Sequence, residues 1–145
     1  MTRRQYLCLG ISLCWESYQA QGSQGQEFAV IVHPSNRFDN LSRSKLGFLF
    51  LRKISRWPWG PEVAPLDLVP GEPLRRVFAQ RVLRISEEQR AAYWIDQRAT
   101  RGVSPPAEAR DAAAAKLWVA ARPGGIAYVS LSSVDSTVKV IRIDS

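Results

Sequence analysis

The segment Asn40–Phe78 constrains the fold more than any other part of the sequence, because it combines signals for a helix, a tight turn, a buried strand and a second helix. Ser42 is a suitable N-cap, since its hydroxyl can accept a hydrogen bond from a free N–H group of the first helical turn. Leu41 and Leu46 occupy the two positions of a hydrophobic staple around that cap. The sequence therefore predicts a helix that begins near Arg43.

The rest of this segment alternates chain-breaking residues with apolar runs. Trp57-Pro58-Trp59-Gly60 ends the first helix in a turn, because proline and glycine interrupt regular structure. The short apolar run Val63–Val69 predicts a buried strand. Pro70-Gly71 then breaks the chain, and Pro73 suits the first turn of a second helix. The apolar face of that helix comprises Leu74, Val77, Phe78 and Val82.

Sequence signals on either side of this segment predict further elements. The continuous apolar run Phe28–His33 is typical of a parallel strand that is covered on both faces. Ser86 and Gln89 have the spacing of a capping box, which predicts a helix over Glu87–Gln97. We expect a loop at Arg98–Ser104.

The last part of the chain predicts one helix and two strands. An alanine-rich run after Pro105-Pro106 predicts a helix over Ala107–Ala121. The residues expected to share one apolar face of this helix are Ala114, Leu117, Trp118 and Ala121. The β-branched runs Ile126–Leu131 and Thr137–Ile143 predict the strands. Helices alternating with strands favour an α/β fold, which we expect to be a single-lobe, three-layer domain with a mixed sheet over residues 27–145.

The composition is that of an ordinary globular protein. The 145 residues are 46% hydrophobic and 23% charged, which suits a single domain with a core of its own. The net charge of +7 is compatible with a nucleic-acid partner. The basic residues are scattered, however, and lack the interleaved aromatic residues of a nucleic-acid-binding surface. We therefore expect a solvated basic surface and no nucleic-acid partner.

Residues 1–26 differ from the rest of the chain. Arg3-Arg4 precede the apolar stretch Tyr6–Trp15, and the polar segment Ser17–Gln26 follows, which is the order of a secretory signal. The apolar stretch is shorter than the roughly 20 residues that a membrane span requires. We predict that residues 1–26 are an export segment and linker, and that the domain is periplasmic or secreted. Two alternatives stay open: a disordered start that is no signal, and a lipoprotein modified at Cys14.

The sequence offers little for catalysis. His33 is the only histidine, and its position at the end of a predicted buried strand favours a structural role. One histidine and two cysteines are too few for a zinc site. Neither a nucleophile elbow nor a phosphate-binding glycine-rich loop occurs. We expect no enzyme, no cofactor and no metal. Trp57 and Trp59 could stack on a sugar or a base, although such a turn more often caps a core.

Several short motifs occur in an order that is found in one known family. They are Leu41–Leu46, Leu49–Leu51, Lys53–Pro58, Arg90–Trp94 and Pro123–Val129. Together they resemble the second lobe of the phosphate-type substrate-binding proteins of ABC transporters, over Phe28–Ile143. The resemblance implies a type II periplasmic binding protein, in which helix starts and hydroxyl groups hold phosphate in a cleft between two lobes.

The loop before the second predicted helix departs from the family pattern. Leu68 stands where the family has a phosphate-binding arginine, and Glu72 and Leu74 replace a serine and a threonine. Pro73 also removes a backbone donor. The length of the chain accounts for only one of the two lobes. The resemblance therefore implies a degenerate anion site that has lost tight phosphate binding.

Four residues are the candidates for any remaining contact with phosphate or another small anion: Gly71, Arg75, Arg76 and Ser42. The preferred interpretation is a solute-binding-protein-like module. One rival is an envelope module without a small-molecule ligand, which holds a protein partner with Trp57, Trp59 and its basic helices. A second rival is a small hydrolase with His33 or Asp67 as its base. Whether two copies associate to rebuild a two-lobed cleft stays open.

Overall fold

The computed structural model describes residues 27–144, within which there are six strands and four α-helices. The strands are β1 (Phe28–Val32), β2 (Asn40–Ser42), β3 (Ala64–Leu68), β4 (Ala107–Ala109), β5 (Gly125–Ser130) and β6 (Lys139–Asp144). The helices are α1 (Arg43–Phe50), α2 (Pro73–Phe78), α3 (Glu87–Arg101) and α4 (Ala112–Ala120). A π-helical turn, Ala79–Leu83, extends α2, and a 3₁₀ turn, Leu131–Ser133, follows β5. The predicted export segment, residues 1–26, lies outside the described residues.

The strands form one mixed sheet in the order β2-β6-β1-β5-β3-β4. β1 is antiparallel to both of its neighbours, whereas the pairs β2/β6, β5/β3 and β3/β4 are parallel. The predicted α/β fold with a mixed sheet is therefore confirmed. The prediction that β1 is a parallel strand is wrong. Its continuous apolar run indicates only that both faces of the strand are buried, and a central strand is buried in this way whether it is parallel or antiparallel to its neighbours.

Helices cover both faces of the sheet. Side chains alternate between the faces along a strand, so Gly125 and Tyr128 of β5 face opposite ways. Tyr128 stacks on Phe78 of α2 with ring centroids 4.0 Å apart, and it lies 5.9 Å from the ring of Phe50 of α1. Gly125 lies against the backbone of Val119 in α4. The sheet is thus the middle of three layers, and β1 runs through its buried centre.

Capping residues set the starts of α1 and α3. The Ser42 hydroxyl accepts a hydrogen bond from the Lys45 N–H at 3.1 Å, and the helix begins at Arg43 as predicted. Ser86 and Gln89 form both hydrogen bonds of the predicted capping box. Each of these hydrogen bonds joins residues three positions apart, so it does not depend on distant parts of the chain.

α3 is longer than the sequence predicts. It continues to Arg101 instead of ending near Gln97, so much of the predicted loop is helical. Gly102, with φ 66°, ends the helix in the left-handed conformation that glycine adopts without strain. No glycine or proline lies between Glu87 and Arg101, so the helix continues until it reaches Gly102.

The alanine-rich helix is shorter than predicted. Its first predicted residues, Ala107–Ala109, form β4 instead and pair in parallel with β3, since this pairing outweighs the helix propensity of alanine. Asp111 then caps α4. The buried residues of α4 are Ala115 and Val119, whereas Leu117 is 73% exposed. Of the predicted apolar face, Ala114 and Trp118 pack against the core, whereas Leu117 and Ala121 are exposed.

The Trp57-Pro58-Trp59-Gly60 turn caps the core. Trp57 is only 3% exposed, and its indole N–H donates to the Gly124 carbonyl at 3.0 Å. The rings of Trp57 and Trp59 stack with centroids 5.5 Å apart, and Phe38 packs against both. The turn serves packing, and the buried face of Trp57 is closed to a sugar or a base.

Replacing Gly124 tests how closely this turn packs. A methyl group at Gly124 would lie 1.7 Å from the Glu62 carbonyl oxygen, which is backbone and cannot rotate away. We expect Gly124→Ala to lower the free energy of unfolding by about 3 kcal/mol or more, measured by urea denaturation. Gly47→Ala is the control, because its nearest atom is the Val82 oxygen at 3.7 Å. Gly47→Ala should stabilise α1 by about 0.5–1 kcal/mol. Equal stability of the two variants would contradict this packing.

Candidate functional site

A groove opens where the carboxyl ends of β3 and β5 meet the starts of α2 and α4. Its volume is about 300 Å³, and its apolar lining includes Leu68, Leu74, Val77 and Val129. We call it the α2 groove. Ligands of open α/β sheets bind beside the carboxyl ends of strands, which makes this groove the candidate site.

The polar groups of the α2 groove disfavour anions. They belong to Glu72, Asp111 and Ser130, and the lining includes no lysine or arginine. The Asp111 carboxylate accepts a hydrogen bond from the Ala114 N–H at 2.9 Å, whereas Glu72 makes no side-chain cap of α2. Pro73, the first residue of α2, has no N–H to offer. The groove thus presents two carboxylates beside an apolar surface.

The four residues predicted to contact an anion are not brought together in this groove. Gly71 lies in the exposed turn before α2, with φ 99°. Ser42 caps α1, and its hydroxyl already accepts the Lys45 N–H. Arg75 and Arg76 are both in α2, the first buried and the second exposed. None of the four lines the groove. Their role in anion binding stays a prediction.

Arg75 is held by three carboxylates, which sequence reasoning missed. It is 7% exposed, and its Nε donates to Glu87 at 3.0 Å. Its Nη1 donates to Glu108 at 3.0 Å and to the Leu68 carbonyl at 2.7 Å, and it lies 3.4 Å from a carboxylate oxygen of Asp67. Its Nη2 donates to Glu87 at 3.3 Å, so an anion would have to compete with these carboxylates for the guanidinium.

Asp67 is the centre of this cluster. A second guanidinium, that of Arg90, donates to the Asp67 carboxylate at 2.6 Å. The Tyr128 hydroxyl also donates to Asp67, and the Leu68 N–H donates at 2.9 Å. We call Asp67, Arg75, Arg90 and Tyr128 the Asp67 network. A buried carboxylate is tolerated because each of its oxygens has a charged or polar partner.

The pKa values follow from these contacts. Burial is the largest influence on Tyr128 and raises the pKa of its phenol, and the adjacent Asp67 charge raises it further. The phenol therefore stays protonated and acts as a donor. The hydrogen bond from Arg75 lowers the pKa of Glu87, so that this carboxylate stays ionised at neutral pH.

The network left one signal in the sequence. Asp67 interrupts the otherwise apolar run Val63–Val69, and a charge in a buried strand requires a partner. The signal does not say which of the many arginines provides it, because Arg75 and Arg90 reach Asp67 from two separate helices.

The two candidate bases of the hydrolase interpretation are both hydrogen-bonded to other residues of the domain. His33 directly follows β1, and its Nδ1 lies 2.8 Å from the Ser35 hydroxyl. Asp67 is buried and surrounded by the Asp67 network. Within residues 27–144, no group of three or more histidine, cysteine, aspartate or glutamate side chains is placed to hold a metal ion. No helix in that range has both the length and the apolar character of a membrane span.

Removing the charge of Asp67 tests the network. Asp67→Asn leaves two buried guanidinium groups without their shared carboxylate, and we expect it to lower the free energy of unfolding by about 3–5 kcal/mol. Urea denaturation at pH 7 measures the change. The control is Asp39→Asn, because Asp39 is 92% exposed where it pairs with Lys139. The control should leave the denaturation midpoint nearly unchanged, and a similar loss in both variants would contradict a special role for Asp67.

The pH dependence of stability tests the contact between Arg75 and Glu87. The pKa of Glu87 is lowered on folding, so its contribution is complete above the unfolded pKa of about 4.3 and is lost as the pH falls through the folded pKa. Since Glu87 is half exposed, we expect Glu87→Gln to cost less than about 1 kcal/mol at pH 7, and the cost to vanish in acid. Denaturation curves across this pH range, repeated in an Arg75→Lys background, measure it. An equal cost at every pH would be inconsistent with this linkage.

Comparison with known proteins gives the fold. No protein-family model matches the sequence, and no curated protein matches it. Among solved structures, an ABC-type phosphate transport receptor from Vibrio cholerae superposes with a TM-score of 0.65 at 20% identity, over 80% of this chain and 45% of that one.

Two further structures give the same result. A putative phosphate ABC transporter substrate-binding protein with bound phosphate from Clostridium perfringens gives a TM-score of 0.62 at 20% identity, over 81% of this chain and 44% of that one. PstS from Borrelia burgdorferi gives 0.64 at 12% identity, over 85% of this chain and 52% of that one. This chain spans about half the length of the structures that it matches. It therefore has the fold of a fragment of the phosphate-type substrate-binding proteins of ABC transporters.

Proposed function

We propose that the chain is a solute-binding-protein-like module, without catalytic activity, that has lost tight capture of phosphate. The observation that carries this proposal is the chemistry of the α2 groove. Glu72 and Asp111 line it, while the guanidinium of Arg75 is turned to the carboxylates of Asp67, Glu87 and Glu108.

Electrostatics disfavour a phosphate ion in this groove. A carboxylate beside the ion repels it, by an amount on the order of 1–3 kcal/mol that is comparable to the contribution of one good donor. Arg76 is the exposed cation of α2 and forms no ion pair among the described residues, but it does not line the groove. A single solvated arginine offers an anion little, because exposed ion pairs contribute at most about 1 kcal/mol.

We place this module in the periplasm or outside the cell. Support comes from the order of charged, apolar and polar residues in the first 26 positions and from the fold that the domain shares with transport receptors. The rival function, an envelope module that holds a protein with Trp57, Trp59 and basic helices, has less support. The Trp57 ring is buried against the Gly124 turn and cannot form part of a contact surface.

Titration with phosphate and with sulfate tests the proposal. We expect isothermal titration calorimetry to give no binding tighter than about 1 mM, because the groove has no lysine or arginine in its lining and two carboxylates that repel the ion. The control is the double variant Glu72→Ser, Asp111→Asn, which keeps the groove but removes its charge and should bind phosphate better than the wild type. Micromolar binding by the monomeric wild type would overturn the proposal.

A further inference from the structure

Among the four helices of residues 27–144, α3 has the smallest fraction of buried residues. Of its fifteen residues, Glu87–Arg101, only Arg90 is buried. Ile95 is 72% exposed, and the nearby alanines Ala91, Ala92 and Ala99 are exposed as well. Covering these side chains with a partner would contribute the free energy of burying their apolar surface.

Helix geometry defines this face. Arg90 points into the domain towards Asp67. At about 100° per residue, Ile95, Ala99 and Ala92 lie about 140°, 180° and 200° round the helix from Arg90, on the side that faces solvent. The exposed residues of this side, which we call the outer α3 face, are Glu88, Ala91, Ala92, Ile95, Arg98 and Ala99. A shallow depression runs along it, lined by Trp94, Ile95, Arg98 and Ala99.

The outer α3 face has opposite charges at its two ends. Glu88 is exposed near the start of the helix, whereas its neighbour Glu87 turns to Arg75. Arg98 is exposed near the end, about 15 Å further along at 1.5 Å per residue. The alanines between them let another helix approach closely, and Ile95 provides a side chain to bury. Because the face has an acidic residue at one end and a basic residue at the other, two copies of it have complementary charges when the helices are antiparallel.

We propose that a second copy of this chain packs on the outer α3 face, with the two α3 helices antiparallel. The two helices are then related by a two-fold axis at the level of residue Tyr93. Glu88 of each copy lies opposite Arg98 of the other, and Ile95 of each packs against Ala91 of the other. A parallel arrangement would instead place like charges together at both ends. The antiparallel helix pair thus satisfies the charges and covers both isoleucines at once.

The proposed contact between the two α3 helices is small, so the dimer should be sought at high protein concentration. One pair of helices covers less than the 1,200–2,000 Å² or so of a typical stable interface, so the dimer exchanges with the monomer. Analytical ultracentrifugation of the wild type up to about 1 mM chain, where complexes of millimolar Kd are still populated, should show a monomer–dimer equilibrium. A monomer throughout this range would overturn the proposal, whatever other protein binds the face.

Two matched exposed residues test the surface. Ile95→Lys should abolish the dimer, because a charge replaces the side chain that is buried on association. Leu117→Lys is the control, since Leu117 is equally exposed, at 73%, but lies on α4. It should leave association unchanged. Thermal unfolding of both variants confirms that they fold. A dimer that survives Ile95→Lys, or that is lost in Leu117→Lys, would overturn the proposal.

Charge exchange tests the antiparallel register. Glu88→Arg and Arg98→Glu should each weaken self-association about tenfold, because each places like charges opposite one another at both ends. The double variant should regain wild-type association. Mixing the two single variants should give a heterodimer that forms more readily than either homodimer, because every pair is then of opposite charge. Failure of the mixture to associate would overturn the register. The phosphate titration is independent of these results, since the outer α3 face and the α2 groove share no residue.

Discussion

One buried carboxylate holds four elements of this domain together. Asp67 is on β3, Arg75 on α2, Arg90 on α3 and Tyr128 on β5. Placing a charge inside a protein is costly, and the cost is met only if the surrounding donors hold fixed positions. The Asp67 network therefore specifies where two helices sit on the sheet. This matters most for α3, because Arg90 is its one buried residue.

The same network explains why the candidate site is poor in positive charge. Arg75 follows closely after the loop where an anion would be expected, yet its guanidinium supports the structure on the other side of α2. What remains in the α2 groove is an apolar surface with the polar side chains of Glu72, Asp111 and Ser130. A residue that stabilises the domain is thus unavailable to a ligand. The domain has the fold of a fragment of phosphate-type binding proteins, and we propose that it lacks the phosphate-binding chemistry, since a fold does not by itself fix a function.

Local signals in the sequence predicted the fold well, and signals that depend on distant partners did not. The Ser42 cap and the capping box of Ser86 and Gln89 involve neighbouring residues only, and both occur as predicted. Ala107–Ala109 form a strand because β3 offers backbone groups to pair with, which the composition of that segment does not reveal.

The candidate site follows the same division. The turn at Gly71 and the start of α2 at Pro73 could be placed from the sequence. The direction in which the Arg75 side chain points could not, because it is set by Glu87 and Glu108. The side chain of a basic residue near a predicted anion loop can point either to solvent or into the protein interior. Only the assembled domain distinguishes them.

The sheet ends at β2 on one side and at β4 on the other, and each has only three residues. Long, flat edge strands expose unpaired backbone groups that recruit strands of other molecules and so promote aggregation. Here both edges are too short to act as a template, and Pro105-Pro106 just before β4 cannot donate to an incoming strand. Within residues 27–144, the sheet edges therefore offer little backbone for a strand of another molecule to pair with, even though the centre of the sheet is almost wholly apolar.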